Sequence, residues 1–344
     1  MTTQTLQPSG PAGIASVMAV TTREPEEQAQ SLGSLDQRYE QLSRGSFSGS
    51  LWSISFDGLT LFKESLSQSV RQTGCAPCDW VTVAASCRLA SDAYWNGRLI
   101  SAKSIIAFAP GSEFELRTPA DVVCTGIAIH RDLLLPDSDA ESAERWRRLL
   151  ASRDTWSDAS SDPLGQTWLA LLASLGEATS ALNAAAARAQ LIDDLIDDLT
   201  GRLGHADESA VRLRATGYPR IVQRARRVML DRMDDHLSIQ ELCEAVGCSR
   251  RALQYAFRNV YGVNPLAYLR SLRLNAARQD LLHPTPATRV DDTAARRGFW
   301  HFARFAQEYA KMFGELPSRT LARSRFAHGI AGPRGRQASR VTKS

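Results

Sequence analysis

The sequence predicts an α+β fold. Its front part is made of short strands of the barrel or jelly-roll kind with accessory helices, and its back part is all-α with two helix-turn-helix units. Three observations predict it. Short apolar or alternating runs separated by turn residues occupy roughly residues 39–135. From about Asp137 the apolar period becomes helical. Near the C-terminus a helix, a tight turn and a second helix occur twice, in Leu237–Gly262 and in Val290–Gly314.

A chain of 344 residues with 43% hydrophobic residues can build two domains with ordinary cores. No apolar run reaches the roughly 20 residues that span a bilayer. The start, MTTQTLQPSGPAG, lacks the basic-then-apolar order of a secretory signal, so a cytoplasmic protein is expected. The formal charge of +4 is unevenly placed. Residues 1–218 hold 18 Lys+Arg against 27 Asp+Glu, and residues 219–344 hold 23 against 10. An acidic front and a basic, mostly Arg, back is the asymmetry of a chain whose rear part meets phosphate. The six cysteines are Cys75, Cys78, Cys87, Cys124, Cys243 and Cys248, and a disulfide framework is not expected.

Residues 1–38 are rich in Thr, Gln, Ser, Gly and Pro without a sustained period, and are expected to be a disordered arm. Residues 39–203 form the first domain. Its expected strands are Ser48–Phe56, Leu59–Ser65, Asp79–Cys87, Ser104–Pro110 and Val122–His130. Its expected helices are Glu141–Ser152, Pro163–Gly176 and Ala184–Leu203. The last carries Leu191, Ile192, Leu195, Ile196, Leu199 and Leu203 on one stripe. Packing within its own domain and a homodimer seam both fit that stripe. Residues 204–218 read as a linker, 219–326 as the basic helical domain, and 327–344 as a frayed basic tail with weak phosphate attraction.

Ser238 and Glu241 form a capping box, Gly247 permits the turn, and Ser249 caps the second helix. Leu253, Phe257 and Val260 are its core face. The other face carries Arg250, Arg251, Gln254, Tyr255 and Arg258, types that reach bases and phosphates in a major groove. Asn264–Leu282 is a long spacer helix with Arg270, Arg273 and Arg278 between its leucines. In the second unit Gly298 is the turn, His301 the expected cap, and Phe305, Tyr309 and Phe313 the core. Phe302, Ala303, Arg304, Ala306, Gln307 and Lys311 face outward, a less polar face. Phe302 or Ala303 suits a thymine methyl, so weaker or more permissive base reading is expected there.

Residues 219–326 resemble the DNA-binding domain of the AraC/XylS family of bacterial transcription regulators. The resemblance rests on LSIQELCEAVGCSRRALQYAFRNVYGVNPLAYLRSLRLNAAR and GFWHFARFAQEYAKMFGELPS, with Gly298, Phe299, Phe305, Tyr309, Phe313, Gly314 and Pro317 in the family's places. It implies seven helices and binding to adjacent major-groove segments. It puts Arg251, Gln254 and Tyr255 in the base-facing slots of the first unit, and Phe302, Ala303 and Arg304 in those of the second. Thr293 and Arg297 stand where apolar residues are usual, which implies a looser scaffold helix. Leu316 replaces a common Ser, and Thr320 and Leu321 replace an aromatic-basic pair. Residues 41–51, with the GFWHFARFA run, are similar to the subgroup containing the ethanolamine-operon regulator, which implies a cupin-like sensing domain. Ethanolamine is not carried over as the ligand.

A small-molecule effector is the expected partner of that domain, with Trp52, Trp80, Tyr94, Trp95 and Phe108 as candidate lining residues. An enzyme is not expected. His130 is the only His between Tyr39 and Leu135, so a metal-dependent oxygenase lacks its ligands, and no metal or cofactor is called for. The CAPC run, Cys75–Cys78, lies between strand-like runs rather than before a helix, which argues against a thioredoxin-type site. The sequence thus supports a transcription regulator that binds double-stranded promoter DNA, with RNA polymerase as a further candidate partner and no membrane. The alternative is a non-specific DNA-binding protein without a sensing role.

Overall fold

The computed structural model describes residues 15–33, 35–135, 140–152, 154–158, 160–205 and 217–330. By contact the chain divides into two compact units, one built chiefly on residues 47–220 and the other chiefly on 221–254 and 263–344.

The first unit opens with β1 (Ser16–Thr22), α1 (Pro25–Ser31) and β2 (Asp36–Gln41). Nine strands then follow before the helices. They are β3 (Gly49–Phe56), β4 (Leu59–Leu66), β5 (Val70–Cys75), β6 (Trp80–Arg88), β7 (Ala93–Trp95), β8 (Arg98–Ile100), β9 (Ser104–Phe108), β10 (Glu113–Thr118) and β11 (Val122–His130). After them come α2 (Arg131–Leu134), α3 (Ala140–Ser152), β12 (Thr155–Ser157), α4 (Leu164–Glu177) and α5 (Ala185–His205).

The strands make two antiparallel sheets, one of seven in the order β1-β3-β4-β11-β6-β9-β12 and one of five in the order β2-β5-β10-β7-β8. Among the described residues each sheet keeps two free edges, so of the expected barrel or jelly roll the closed barrel is not formed. Alternation along β3 sends Ile54 and Phe56 into a core with Trp146, Trp168 and Leu172, while Leu51 faces the other way and packs with Phe62. On that other side Ala84, Ile106 and Phe108 of the large sheet pack with Trp95, Phe114 and Leu116 of the small one. The unit is therefore three layers: helices, seven strands, five strands.

Two expectations change here. Residues 15–33 and 35–38 are not a disordered arm, because β1 pairs with β3 in register Ser16↔Ser55 to Thr22↔Gly49, and β2 pairs with β5. The arm's polarity hides this. Buried Gln28 of α1 donates to the Glu64 carboxylate at 2.9 Å, and Thr22 donates to Gln28 at 2.7 Å, so its polar side chains are partnered inside. The rest of the arm, residues 1–14, lies outside the described residues. The α5 stripe also resolves: Ile192, Leu195, Leu199 and Leu203 are buried in the same core as Trp146 and Trp168, with Leu191 and Ile196 against it. That stripe is packed within its own unit.

Seven helices follow among the described residues: α6 (Tyr218–Asp231), α7 (Ile239–Val246), α8 (Arg250–Tyr261), α9 (Pro265–Leu282), α10 (Val290–Arg296), α11 (Phe302–Phe313) and α12 (Pro317–Ala327). Most of the expected linker, residues 206–216, and the tail from 331 lie outside the described residues. No helix among the described residues is long and apolar enough to cross a membrane.

Candidate nucleic-acid interface

The first helix-turn-helix is α7, a turn, and α8. Ser238 accepts from the Glu241 amide at 3.2 Å, and Glu241 accepts from the Ser238 amide at 2.8 Å, closing the capping box. Those bonds and Arg232 at 2.9 Å hold the Glu241 carboxyl down at about 2. Gly247 turns the chain at φ 70°, where a side chain is strained. Ser249 then accepts from the Ala252 amide at 3.2 Å to start α8. Leu253, Phe257 and Val260 are buried, and Arg250, Arg251, Tyr255 and Arg258 are exposed on the other side, with Gln254 half-buried. Arg250 and Arg258 have no ion pair among the described residues, so their charge is available to an anion.

The second unit is α10, a turn, and α11. Gly298 turns at φ 73°, and a Cβ there would lie 3.0 Å from the Arg273 guanidinium carbon. His301 occupies the cap position of α11, but its side chain makes no cap bond, contrary to expectation. Phe305, Tyr309 and Phe313 are buried, and His301, Phe302, Ala303, Arg304 and Gln307 are exposed. Arg304 is paired to Glu308 at 2.9 Å, and Arg270 of α9 reaches the same carboxylate at 3.2 Å.

The scaffold helix of this unit is held by polar contacts. Thr293 is fully buried with no partner for its hydroxyl. Arg297 forks onto Asp280 of α9 with two bonds of 3.0 Å, and those bonds strengthen its hold on its proton. The looseness expected from these two residues is therefore offset by the ion pair. The spacer-helix arginines are structural as well. Arg273 donates to the Met233 carbonyl at 2.7 Å and to the Asp235 carbonyl, closing the end of α6. Arg278 is buried against Tyr309 and Glu315. Much of the basic surplus counted in the sequence thus holds helices together, while Arg250 and Arg258 of α8 are among the exposed arginines without an ion pair among the described residues.

In the first unit of the chain the candidate effector residues do not converge. Trp95 and Phe108 meet edge-to-face at 4.6 Å inside the sandwich. Trp80 lies against His130 at 5.3 Å, and Trp52 packs on the helical side of the large sheet. Tyr94 lies under Arg117 at 5.5 Å. A cavity of about 250 Å³ stands elsewhere, lined by Leu89, Ser91, Asp92, Arg98 to Ser101, Ser104, Thr155, Trp156 and Ser157. It lies between β8 and β12, which are edge strands of the two sheets. Asp154 spans that seam, accepting from Arg98 at 2.5 Å and from Asn96 at 2.8 Å. Sequence reasoning missed these residues, because β12 is three residues long and separated from its partner β9 by some fifty positions. Cys75 and Cys78 are both exposed free thiols. Among the described residues no group of three or more His, Cys, Asp or Glu is placed to hold a metal ion.

The family described as a helix-turn-helix domain matches residues 242–323, the span from α7 to α12. Residues 242–323 are a helix-turn-helix domain. A probable thc operon regulatory protein of Rhodococcus erythropolis is 33% identical over 167 residues, 46% of this chain and 49% of that protein. A XylDLEGF operon transcriptional activator 2 of Pseudomonas putida is 38% identical over 87 residues, 25% of this chain and 55% of that protein. The chain therefore spans about half the length of these curated relatives. A solved AraC-type regulator structure from Chromobacterium violaceum is 29% identical, with a TM-score of 0.30, covering 31% of this chain and 95% of that one.

Proposed function

We propose that the chain is a sequence-specific transcription regulator. Its AraC-type domain grips promoter DNA through α8 and α11, and its sheet unit senses a small molecule. The observation that carries the DNA reading is the exposed face of α8. Arg250, Arg251, Tyr255 and Arg258 stand on a helix fixed by a capping box, a left-handed glycine and a serine cap. Arg and Gln on such a face can fork onto guanine and adenine edges, each pair contributing roughly 1–3 kcal/mol of discrimination. The name of one relative, an operon transcriptional activator, favours activation as the output. Electrophoretic mobility shift on promoter fragments recovered by genomic footprinting tests this, and folded protein that forms no complex at low salt contradicts it.

The sheet unit takes the place that the resemblance gives to a cupin-like sensor. The seam cavity is the site we assign to the effector. Its volume, about 250 Å³, lies just under the usual range for ligand pockets, so a small effector of a few heavy atoms fits it. Ser157→Trp, which fills the cavity, is expected to abolish effector response in a promoter-reporter assay while leaving DNA binding in vitro intact. RNA polymerase and a second copy of the chain stay as candidate partners, with no surface assigned to either.

A second reading, a non-specific DNA-binding protein, is favoured by the charge asymmetry alone. It requires steep salt dependence and equal affinity for unrelated sequences.

A further inference from the structure

The entry to α11 presents an apolar surface where a reading helix ordinarily presents charge. Trp300 is 72% exposed and Phe302 49% exposed, and Ala303 beside them is exposed. A large aromatic left this open on a monomer is unusual and points to a contact made elsewhere. The arginine nearest to Phe302 in the chain is already paired. Arg304 is tied to Glu308 at 2.9 Å, and the second oxygen of Glu308 takes Arg270 at 3.2 Å. Freeing Arg304 for a base would leave the Glu308 carboxylate close to DNA phosphates with one cation fewer.

Resting on the DNA reading above, we propose that the second helix-turn-helix recognises the C5-methyl groups of thymines through Trp300 and Phe302. Base-edge hydrogen bonding is left to the first unit. Apolar side chains in a major groove discriminate thymine by its methyl, the one apolar group that the groove displays. Trp300 lies in the turn, one residue before the cap position of α11, so it precedes the helix that enters the groove. The two units would then read by different chemistry: hydrogen bonds from α8, methyl contacts from the α11 entry.

The test uses the full chain and a footprinted promoter fragment in which single thymines are replaced by deoxyuridine, which lacks only the methyl. Affinity is expected to fall about fourfold for each methyl removed under the second unit, from the transfer value of one buried methyl group. Trp300→Ala combined with Phe302→Ala should bind more weakly and lose that sensitivity, whereas Gln254→Ala should bind more weakly and keep it. Both aromatic positions are largely exposed, so circular dichroism and the melting temperature should stay at wild-type values. Specific binding that ignores every deoxyuridine overturns the methyl reading alone, as does sensitivity that survives in the double variant. Absence of any specific complex on the unmodified fragment overturns the DNA reading and this inference with it.

Discussion

Tyr309 of α11 donates its hydroxyl hydrogen to Thr320 Oγ1 of α12 at 2.9 Å. The chain of bonds continues at both ends: Arg278 of α9 donates to the Tyr309 oxygen at 3.2 Å, and Thr320 donates to Glu315 at 2.8 Å. Arg278 also reaches Glu315 at 3.1 Å and lies over the Phe313 ring at 4.5 Å. Burial pushes the Tyr309 hydroxyl up to about 12, so it stays a donor throughout the working pH range. This network locks three helices around the second reading unit, and Thr320, a departure from the family pattern, is the residue that joins its two ends.

Thr320→Val should therefore destabilise the helical unit by about 2 kcal/mol, because the Tyr309 hydroxyl and one Glu315 oxygen lose a buried partner. Arg278→Met should cost more, about 3 kcal/mol, because it strips a cation from a mostly buried carboxylate. Urea unfolding followed by far-UV circular dichroism measures both. If Thr320→Val leaves the midpoint unchanged, the network is ornamental.

Glu64 gives the sheet unit a pH dependence. Its carboxyl is 3% exposed, and burial pushes it up to about 7 against donors from Gln28, Tyr39 and Cys124. A raised carboxyl favours the protonated folded state, so its contribution is fully present below the ordinary 4.5 and is lost as pH rises through about 7. The span of the shift corresponds to a change on the order of 3 kcal/mol. Wild-type stability should fall over that window relative to Glu64→Gln, as read by unfolding at successive pH values. A parallel pair of curves would mean that the group is not buried in the way described.

Glu241 behaves in the opposite sense. Its carboxyl is held down by the Ser238 amide and Arg232, so what it contributes to the α7 cap is present above pH 4.5 and fades as pH falls toward about 2. Glu241→Gln should weaken the domain at pH 7 and match wild type near pH 2. Ser238→Ala should cost about 1 kcal/mol with little dependence on pH, because its hydroxyl does not titrate. Thermal unfolding of the two variants at pH 7 and at acid pH separates these effects.

The five strands legible in the sequence all belong to the seven-stranded sheet. That sheet is covered on both faces, so Leu59–Leu66 and Val122–His130 read as apolar runs. The five-stranded sheet escaped notice because its strands, such as DQRYEQ, VRQTGC and EFELRT, carry charge along them. Arg71 answers Glu40 at 3.4 Å and Glu115 at 2.5 Å across neighbouring strands, a pairing between segments some thirty and forty residues away that local pattern cannot reveal. In the helical unit the opposite holds. The Ser238 and Ser249 caps, the glycine turns and the Phe305, Tyr309, Phe313 stripe are local signals and were legible, whereas the expected His301 cap bond is not made. What the sequence could not separate was arginine without an ion pair from arginine that holds helices. Arg273, Arg278, Arg297 and Arg304 look alike in a charge count, and only their carboxylate and carbonyl partners tell them apart from Arg250 and Arg258.

The central claim is that this chain reads DNA sequence, chiefly through α8. The most direct measurement is the affinity of the full chain for a footprinted promoter site against a scrambled duplex at fixed physiological salt, for wild type, Gln254→Ala and Gln307→Ala. Wild type is expected to prefer its site by about a thousandfold or more. Gln254→Ala is expected to lose roughly tenfold of that preference and Gln307→Ala little of it. Equal affinity for both duplexes, falling steeply with salt, would contradict the claim.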